Sequence, residues 1–361
     1  MATANTSKTS AAQKMLPRLV ADDNGYAAHK IAWLDQKGNI MVGKIPTHIQ
    51  VGGSGFSTTT GGRVGAYKVD GIEYHCSAIL NNPMSLRNAD YPQSVANRVL
   101  FNHALNKFGL LGMPVRAAVT LPFRDYFNND GTVNEVLKAK VQQNFQQGGV
   151  EVLGSEAQPQ VASVRVCAEA LSAWFDWAMA DDGSMTEGYD ELYKLNGEML
   201  VVDIGGSTTD LASLGLVEGQ LLINHEKSGT ERVGVLDALA KLEELVRAKM
   251  ASSGVEGMSG HDSKLPQNIL EMILEKGSCQ YAGRPWDFSQ ERDTASKAVA
   301  ERIVSYIKSK VGNPGAYYGI QVVGGGAIVF RKWIQAMFVN AIFGDEFSNA
   351  RGALKYMRGD E

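Results

Sequence analysis

The amino-acid sequence predicts an α/β protein in which one folding unit occurs twice. Twice along its 361 residues, a meander of strands is followed by helices and a later buried strand. Each meander also contains a strand that runs into an aspartate and a glycine turn, in "ADDNGYAAHK" (21–30) and "VVDIGGSTTD" (201–210). A chain of this length usually forms about two domains, so a duplication with extra material inserted in each copy accounts for its size.

The first copy opens with three strands that are separated by turn residues. They are predicted at residues 16–22, 29–35 and 40–45. A stretch rich in glycine and threonine, 51–71, indicates loops and short strands of an inserted subdomain. Helical spacing of apolar residues, or a short buried run, predicts the remaining elements. These are helices at 94–109, 133–147 and 170–180, and strands at 114–123 and 161–169.

The second copy repeats this order. Strands are predicted at residues 198–203, 208–219 and 220–227, and residues 251–264 are predicted to be an exposed loop. Helices are predicted at 234–249 and 294–312, because apolar residues recur there at helical spacing. The stretch "GIQVVGGGAIVF", at 319–330, predicts a strand that runs into a glycine turn and then a helix.

These elements predict four segments of the chain. Residues 1–15 are small and polar and are predicted to be a disordered tail. Domain I is predicted at 16–180, with an inserted subdomain at about 46–93. Domain II is predicted at 181–335, with an inserted subdomain at about 235–290. Residues 336–361 are predicted to form a C-terminal helix that returns to domain I.

Composition and charge exclude several classes of protein. A formal net charge of −4 argues against a chain whose main task is to coat nucleic acid. The cysteines Cys76, Cys167 and Cys279 lie far apart, which predicts neither a disulfide framework nor a zinc site and favours a reducing cytoplasm. No apolar run approaches the roughly 18–20 residues of a membrane span, so no membrane partner is expected.

The second glycine turn carries more polar groups than a hairpin needs. Two glycines allow close approach of the backbone to a ligand, and successive N–H groups in such a turn form an anion-binding nest. Three hydroxyl residues and a second aspartate follow. The turn is therefore predicted to bind phosphate. Its candidate ligand residues are Gly205, Gly206, Ser207, Thr208, Thr209 and Asp210.

Two further stretches support a nucleotide site. Taken alone, "DDNG" is more typical of a β-hairpin, and "VVGGGAIVF" lacks the spacing of a dinucleotide-binding turn. Together with the second turn, both indicate a nucleotide. Asp23 and Asp203 at strand ends would hold Mg²⁺, usually through its waters, and Lys30 would place a point charge on the phosphates. The other candidate ligand residues here are Asn24, Gly25, Tyr26, Gly324, Gly325, Gly326 and Ala327.

The order "DNG…K", "DIGGSTTD", "VVGGGA" resembles the phosphate 1, phosphate 2 and adenosine motifs of the actin, Hsp70 and sugar-kinase superfamily. Within it, "AVTLPFRDYFNNDGTVN", "VRVCAEALSAWFDWA" and "EFSNARGALKYM" are similar to segments of the plasmid-segregation actins of the ParM/StbA family. The resemblance implies an actin-like α/β fold, in which duplicated ribonuclease-H-like domains surround a nucleotide cleft and each carries an inserted subdomain. It also implies ATP and Mg²⁺ as ligands.

The resemblance suggests roles for particular residues. Glu169 would face the phosphates and position the attacking water, although a glutamate that opens a helix is also favoured by the helix dipole. Asp203 would orient water or Mg²⁺. For Asp210, a ligand role and a bond within the turn are equally open, as are a ligand role and helix packing for Gly234. Tyr26 stands where many members place a serine or threonine that touches the terminal phosphates.

The function implied is that of a polymerising, actin-like ATPase, with GTP as an alternative substrate, whose filaments segregate plasmid DNA. Its expected partners are further copies of itself and a small DNA-binding adaptor on a centromere-like plasmid site. Direct sequence-specific binding to DNA by the chain is not expected, and its expected location is the cytoplasm. A sugar or metabolite kinase of the same superfamily remains an alternative, as does another bacterial or phage cytoskeletal actin homologue.

Overall fold

The computed structural model describes residues 17–53, 55–80, 83–258 and 264–359. The predicted tail at 1–15 and part of the predicted loop at 251–264 lie outside these residues. Within them the chain forms two α/β halves. The N-terminal half comprises β1 (Arg18–Asn24), β2 (Ala28–Leu34), β3 (Ile40–Pro46), β4 (Ile49–Val51), β5 (Phe56–Ser57), β6 (Arg63–Val64), β7 (Ala66–Val69), β8 (Ile72–Cys76), α1 (Val95–Lys107), β9 (Pro114–Leu121), α2 (Phe123–Tyr126), α3 (Glu135–Gln146), β10 (Glu151–Val152), β11 (Gln160–Ala168) and α4 (Leu171–Ala178).

The C-terminal half follows α4, and the last helix of the chain packs back on the N-terminal half. Its elements are α5 (Glu187–Leu195), β12 (Glu198–Ile204), β13 (Thr209–Val217), β14 (Gln220–Ile223), β15 (Gly229–Glu231), α6 (Val235–Ser252), α7 (Gln267–Lys276), β16 (Ser278–Tyr281), β17 (Arg284–Asp287), α8 (Ser289–Val311), β18 (Gly319–Val323), α9 (Gly325–Val329), α10 (Arg331–Met337), β19 (Ala341–Phe343) and α11 (Ser348–Gly359).

The two central sheets have the same topology, which confirms the predicted duplication. In the N-terminal half the strand order is β3-β2-β1-β9-β11, and in the C-terminal half it is β14-β13-β12-β18-β19. In both, the first three strands of this order pair antiparallel and the last three pair parallel. Because parallel strands end at the same edge of a sheet, the polar residues that follow β1, β9 and β11 come together, as do those after β12 and β18.

Both central sheets are buried on their two faces. The strands β1 and β12 are almost fully buried along their length, as expected for apolar runs covered on both sides. One face of the first sheet packs on α1 and α3, and the other packs on α11. In the second sheet, α6 and α8 cover one face, and the other shares a core with α4 and α5. The two halves are thus joined by apolar packing beneath the cleft between them.

Each half carries additional elements. In the N-terminal half β4, β7 and β8 form a small sheet, which β10 joins by pairing with β7 although it lies far along the chain from the predicted insert at 46–93. This sheet shares a core with α1 and the central sheet. In the C-terminal half α7 and the hairpin β16–β17 follow α6 and pack in the same core as α8. Helices α5 and α7 and this hairpin were not predicted from the sequence. The prediction of a helix over 336–361 is wrong for its first part, because β19 lies there and pairs with β18, and the helix α11 begins only at Ser348.

Among the described residues, no helix combines the length and the apolar character needed to cross a membrane.

Candidate functional site

A cleft of about 1000 Å³ lies between the two halves, at the edge where the parallel strands end. Two turns face each other across it. We call residues 23–27, between β1 and β2, turn I, and residues 203–208, between β12 and β13, turn II. Many of the predicted ligand residues line the cleft, namely Asp23, Asn24, Gly25, Tyr26, Lys30, Glu169, Asp203, Gly205, Gly206, Thr208 and Gly325.

Turn I is fixed by contacts within the N-terminal half. The hydroxyl of Thr47 donates to the carbonyl of Gly25 at 2.7 Å, and its backbone N–H donates to the carbonyl of Ala27 at 3.0 Å. The side-chain oxygen of Asn24 accepts a 2.8 Å bond from the N–H of Thr120 at the end of β9. Neither threonine was predicted to belong to the site, because both are far from the turn in sequence.

Buried acidic and basic groups meet at the ends of β1, β2 and β11. The ammonium of Lys30 lies 2.8 Å from Oδ2 of Asp23. Burial alone would lower the pKa of Lys30, but the carboxylates of Asp23 and Asp203 outweigh burial and raise it. Lys30 therefore remains charged at the floor of the cleft, where it can neutralise an anionic ligand.

Glu169 follows β11 and is buried beside this cluster. The hydroxyl of Thr120 lies 3.3 Å from its Oε1 and 3.4 Å from Oδ1 of Asp23, so a single hydroxyl hydrogen serves two carboxylates. Burial, and then the carboxylates of Asp210 and Asp23, raise the pKa of Glu169 well above its usual range. A carboxylate with a raised pKa is a stronger base than an ordinary glutamate, which favours a role in accepting a proton.

Asp203 lies at the opposite side of the same cluster. Its Oδ2 accepts a 2.6 Å bond from the amide of Asn349 in α11, and burial followed by repulsion from Asp23 raises its pKa to about 6. Two hard oxygen ligands on opposing strands fit Mg²⁺, which keeps several waters and is completed by substrate phosphates. Within the described residues, no group of three or more His, Cys, Asp or Glu side chains could hold a metal by itself.

Turn II presents donors from which no described residue accepts a hydrogen bond. The carbonyls of Gly205 and Gly206 accept bonds from the first two N–H groups of α6, Val235 at 3.0 Å and Leu236 at 2.8 Å. Since N–H and C=O point in opposite directions in a trans peptide, the N–H groups of Gly206 and Ser207 are directed away from α6. In the part of the chain that the structure describes, neither donates to a protein acceptor, and the buried hydroxyl of Ser207 also lacks a partner. These groups form an anion-binding nest.

Close packing explains several of the predicted glycines. A Cβ added at Gly206 would lie 2.7 Å from Cβ of Ala27, so the two turns approach each other as closely as glycine permits. A Cβ at Gly234 would lie 2.5 Å from the carbonyl oxygen of Gly206, which favours helix packing as the role of this glycine. Added Cβ atoms at Gly324 and Gly326 would collide with residues of β12, whereas Gly325 has open space before it.

Two predicted residues, Thr209 and Asp210, bond to the protein behind turn II. The hydroxyl of Thr209 donates to the carbonyl of Val233 at 2.8 Å. The carboxylate of Asp210 accepts bonds from the N–H of Phe123, at 2.8 Å, and from the hydroxyl of Thr230. Burial raises the pKa of Asp210 to about 7. These bonds, and the location of both residues behind turn II, favour a role in holding the turn. Among the predicted residues, the cleft lining does not include Ser207, Thr209, Asp210, Gly234, Gly324, Gly326 and Ala327.

Tyr26 lines the cleft and extends towards the inserted segment. Its hydroxyl donates to the carbonyl of Asn88 at 3.3 Å, and its ring centroid lies 5.3 Å from that of Tyr91. Burial raises the pKa of Tyr26 to about 12, so the hydroxyl remains a donor. A tyrosine at this position therefore connects turn I to the segment before α1. The shorter side chain of a serine or threonine could not reach that segment.

Two family models match the chain. Residues 18–180 match a model described as the N-terminal part of the plasmid segregation protein ParM. Residues 201–336 match a model described as the C-terminal part of MreB-like archaeal actin homologues. No curated protein sequence gives a significant match.

Solved structures of actin-like proteins have the same fold over nearly the whole chain. A non-polymerisable quadruple mutant of pCBH ParM is 16% identical with a TM-score of 0.72, and the match covers 95% of this chain and 99% of that one. A ParM from a 15-stranded filament of Clostridium botulinum is 18% identical, with a TM-score of 0.70 and the same coverage.

The archaeal actin homologue Ta0583, in complex with ADP, is 16% identical with a TM-score of 0.69, and the match covers 95% of this chain and 98% of that one. At this level of identity the structural likeness establishes the fold, and the family models add the sequence evidence. The chain therefore has the actin-like fold, with an N-terminal half similar to that of the plasmid segregation protein ParM and a C-terminal half similar to that of MreB-like archaeal actin homologues.

Proposed function

We propose that the chain is a nucleotide-dependent, polymerising ATPase whose filaments segregate plasmid DNA. One observation carries this proposal. N–H groups in turn II that donate to none of the described residues face, across one cleft, a buried cluster of carboxylates and Lys30. Such a cleft suits the phosphates of a nucleotide and a divalent cation. Among the structural neighbours, one is a ParM filament and another is an actin homologue with ADP.

Different residues of the cleft bind the phosphates and the metal ion of the proposed substrate. The N–H groups of turn II receive phosphate oxygens, while Lys30 neutralises their charge from the floor of the cleft. Asp23 and Asp203 hold Mg²⁺, largely through its waters, and Mg²⁺ supplies charge neutralisation on the phosphates. Relief of the repulsion between the two aspartates makes cation binding favourable.

Glu169 is the residue that we assign to hydrolysis. In phosphoryl transfer to water, the protein mainly has to position the attacking water and stabilise charge. Glu169 is held by Thr120 at the end of the same sheet, and its raised pKa suits it to orient that water and accept its proton. The raised pKa of Asp203 makes it a second, weaker candidate for orienting water.

Filament formation and partition require partners beyond the nucleotide. The partners proposed are further copies of the chain and a small DNA-binding adaptor on a centromere-like plasmid site. The formal net charge of −4 supports an adaptor, because a chain that binds DNA by itself usually carries a basic surface. ATP is the proposed substrate, with GTP as an alternative, and the cytoplasm is the proposed compartment.

Light scattering and sedimentation with magnesium and ATP test this proposal. Scattering should rise after ATP is added, then fall as ATP is consumed, and ADP or chelation of Mg²⁺ should give no rise. Parallel runs with GTP define the base preference. Absence of assembly with either nucleotide at every protein concentration would contradict the proposal. ATP consumption that depends strictly on a small acceptor molecule would identify a metabolite kinase instead.

A further inference from the structure

We propose that Arg87 positions the third peptide of turn II and thereby completes its phosphate-binding nest from the other half of the molecule. Arg87 lies in the N-terminal half, before α1. Its Nη2 donates to the carbonyl of Ser207 at 3.2 Å and to Oδ2 of Asp237 at 3.3 Å. The inference rests on the proposed function, because it assigns to Arg87 a part in binding the phosphates of the nucleotide.

The geometry of the peptide bond links this contact to the cleft. The peptide between Ser207 and Thr208 is planar and trans, so its N–H points away from its carbonyl. Thr208 lines the cleft, whereas Arg87, among the described residues, does not. By holding the carbonyl of Ser207 on the far side, Arg87 directs the N–H of Thr208 towards the cleft.

Arg87 completes a series of three aligned peptides. The carbonyls of Gly205 and Gly206 are held by backbone N–H groups of α6, which belongs to the same half as turn II. The carbonyl of Ser207 comes next in the chain. Among the described residues, its donor is the side chain of Arg87. Two of the three N–H groups are thus oriented locally, and the third depends on contact between the halves.

Loss of the arginine would change the charge that turn II presents. Without a donor on its far side, the carbonyl of Ser207 is free to rotate towards the cleft. A carbonyl oxygen there would repel phosphate where an N–H would attract it. A hydrogen bond from a charged donor is also stronger than a neutral one, which suits Arg87 to fix the orientation of one peptide.

The ion pair with Asp237 is the competing explanation for this contact. The side chains of Arg87 and Asp237 are 41% and 25% exposed, and ion pairs at such sites contribute little. Oδ2 of Asp237 also accepts a 2.9 Å bond from the N–H of Gly234, which an asparagine oxygen can retain. The substitution Asp237→Asn therefore removes the charge and leaves the helix cap and the carbonyl contact in place.

The experiment compares Arg87→Met, Arg87→Lys and Asp237→Asn with the control Arg63→Ala, which removes an exposed arginine paired with Glu73 in the same half. Hydrogen exchange of the amides at 205–208 is measured in nucleotide-free protein, and dissociation constants are measured for ADP and ATP. In Arg87→Met the amides should exchange faster and both nucleotides should bind roughly tenfold more weakly. Lysine should restore part of both effects. The other two variants should stay within about twofold of wild type.

Unchanged exchange and affinity in Arg87→Met would overturn the positioning role. A loss in Asp237→Asn equal to that in Arg87→Met would also overturn it, since the ion pair would then explain the whole effect. If the wild-type protein bound no nucleotide, the proposed function would fail. The exchange comparison would still decide whether Arg87 orients turn II.

Discussion

Turn I and turn II occupy equivalent places in the duplicated fold but are held in different ways. The contacts that fix turn I come from its own half, through Thr47 and Thr120. Turn II is held by α6 of its own half, by Arg87 of the other half, and by Asn349 of the last helix, which packs on the other half. Turn I is therefore held by contacts within one half, whereas turn II also relies on contacts from the other half.

This difference separates the residues proposed for hydrolysis from the backbone groups proposed to bind phosphate. Glu169, Lys30 and Asp23 belong to the half with the self-contained turn, so contacts within that half set their mutual geometry. The N–H groups of turn II depend on contacts that cross between the halves. Substitutions on the first side should affect turnover or local stability, and those on the second should affect nucleotide affinity or the stability of the whole fold.

The largest effect is expected from Glu169→Gln. Glutamine keeps the size of the side chain and the bond from Thr120, but it cannot accept a proton. Phosphate release should slow by about 10²–10⁴-fold while nucleotide affinity changes little, because positioned general bases contribute rate enhancements of that size. Glu135→Gln, an exposed position in α3, is the control. Equal turnover in the two variants would move the catalytic role to another residue.

Asn349→Ala should give the next largest effect, by removing a contact that turn II receives from α11. The amide of Asn349 donates to Asp203 and its oxygen accepts from the N–H of Ala170 at 3.1 Å, all within a buried site. Leaving both partners without bonds should lower the free energy of unfolding by about 2–4 kcal/mol. Urea denaturation measures this loss, with the exposed turn residue Asn39→Ala as control, for which a change below about 1 kcal/mol is expected.

The sequence predicted the turns themselves but not their supports. Buried runs followed by aspartate and glycine are local signals, so both central meanders and the candidate ligands of turn II could be located. The residues that hold turn II lie far away in sequence. Arg87 is 120 positions from Ser207, and Asn349 is 146 positions from Asp203, so no local pattern connects them. Only the folded sheets bring these residues together.

Two missed elements have local explanations. The hairpin β16–β17 turns at Ala282 and Gly283, both with positive φ, and alanine is a rare residue in that conformation. The usual Asn-Gly or Asp-Gly signal is therefore missing. In contrast, α5 begins at a capping threonine, Thr186, whose hydroxyl accepts from the N–H of Tyr189. That signal was present in the sequence and predicts a helix start.

A smaller effect is expected from pH on the free energy of unfolding, and Asp210, behind turn II, should cause it. In turn I, Asp23 has an ammonium group at 2.8 Å, whereas Asp210 behind turn II is held by neutral donors and has a pKa raised to about 7 by burial. The folded protein keeps this proton up to about pH 7, while the unfolded chain releases it near pH 4. Between these values the folded state binds more protons, so the free energy of unfolding should fall as pH rises.

Asp210→Asn tests this expectation in nucleotide-free protein. Asparagine retains an oxygen that can accept from Phe123 and Thr230 but has no proton to lose. At pH 8 the variant should be more stable than wild type by about 1–3 kcal/mol, and at pH 5 the difference should be small. Part of the pH dependence should remain, because the raised pKa of Asp203 contributes in the same direction. Parallel urea midpoints across the pH range would show that Asp210 does not carry the effect.

The smallest effect is expected from Thr47→Val, which removes one support of turn I. Valine matches threonine in shape but cannot donate the 2.7 Å bond to the carbonyl of Gly25, while the backbone bond from residue 47 to Ala27 persists. The free energy of unfolding should fall by about 1 kcal/mol, the usual contribution of one neutral hydrogen bond. Nucleotide affinity should fall by only about two- to threefold, because the remaining bonds still fix turn I. Thr59→Val, at an exposed position of the inserted segment, is the matched control. A loss of affinity larger than that of Arg87→Met would reverse the ranking of the two turns, since turn I would then be the one whose geometry depends on a single side chain.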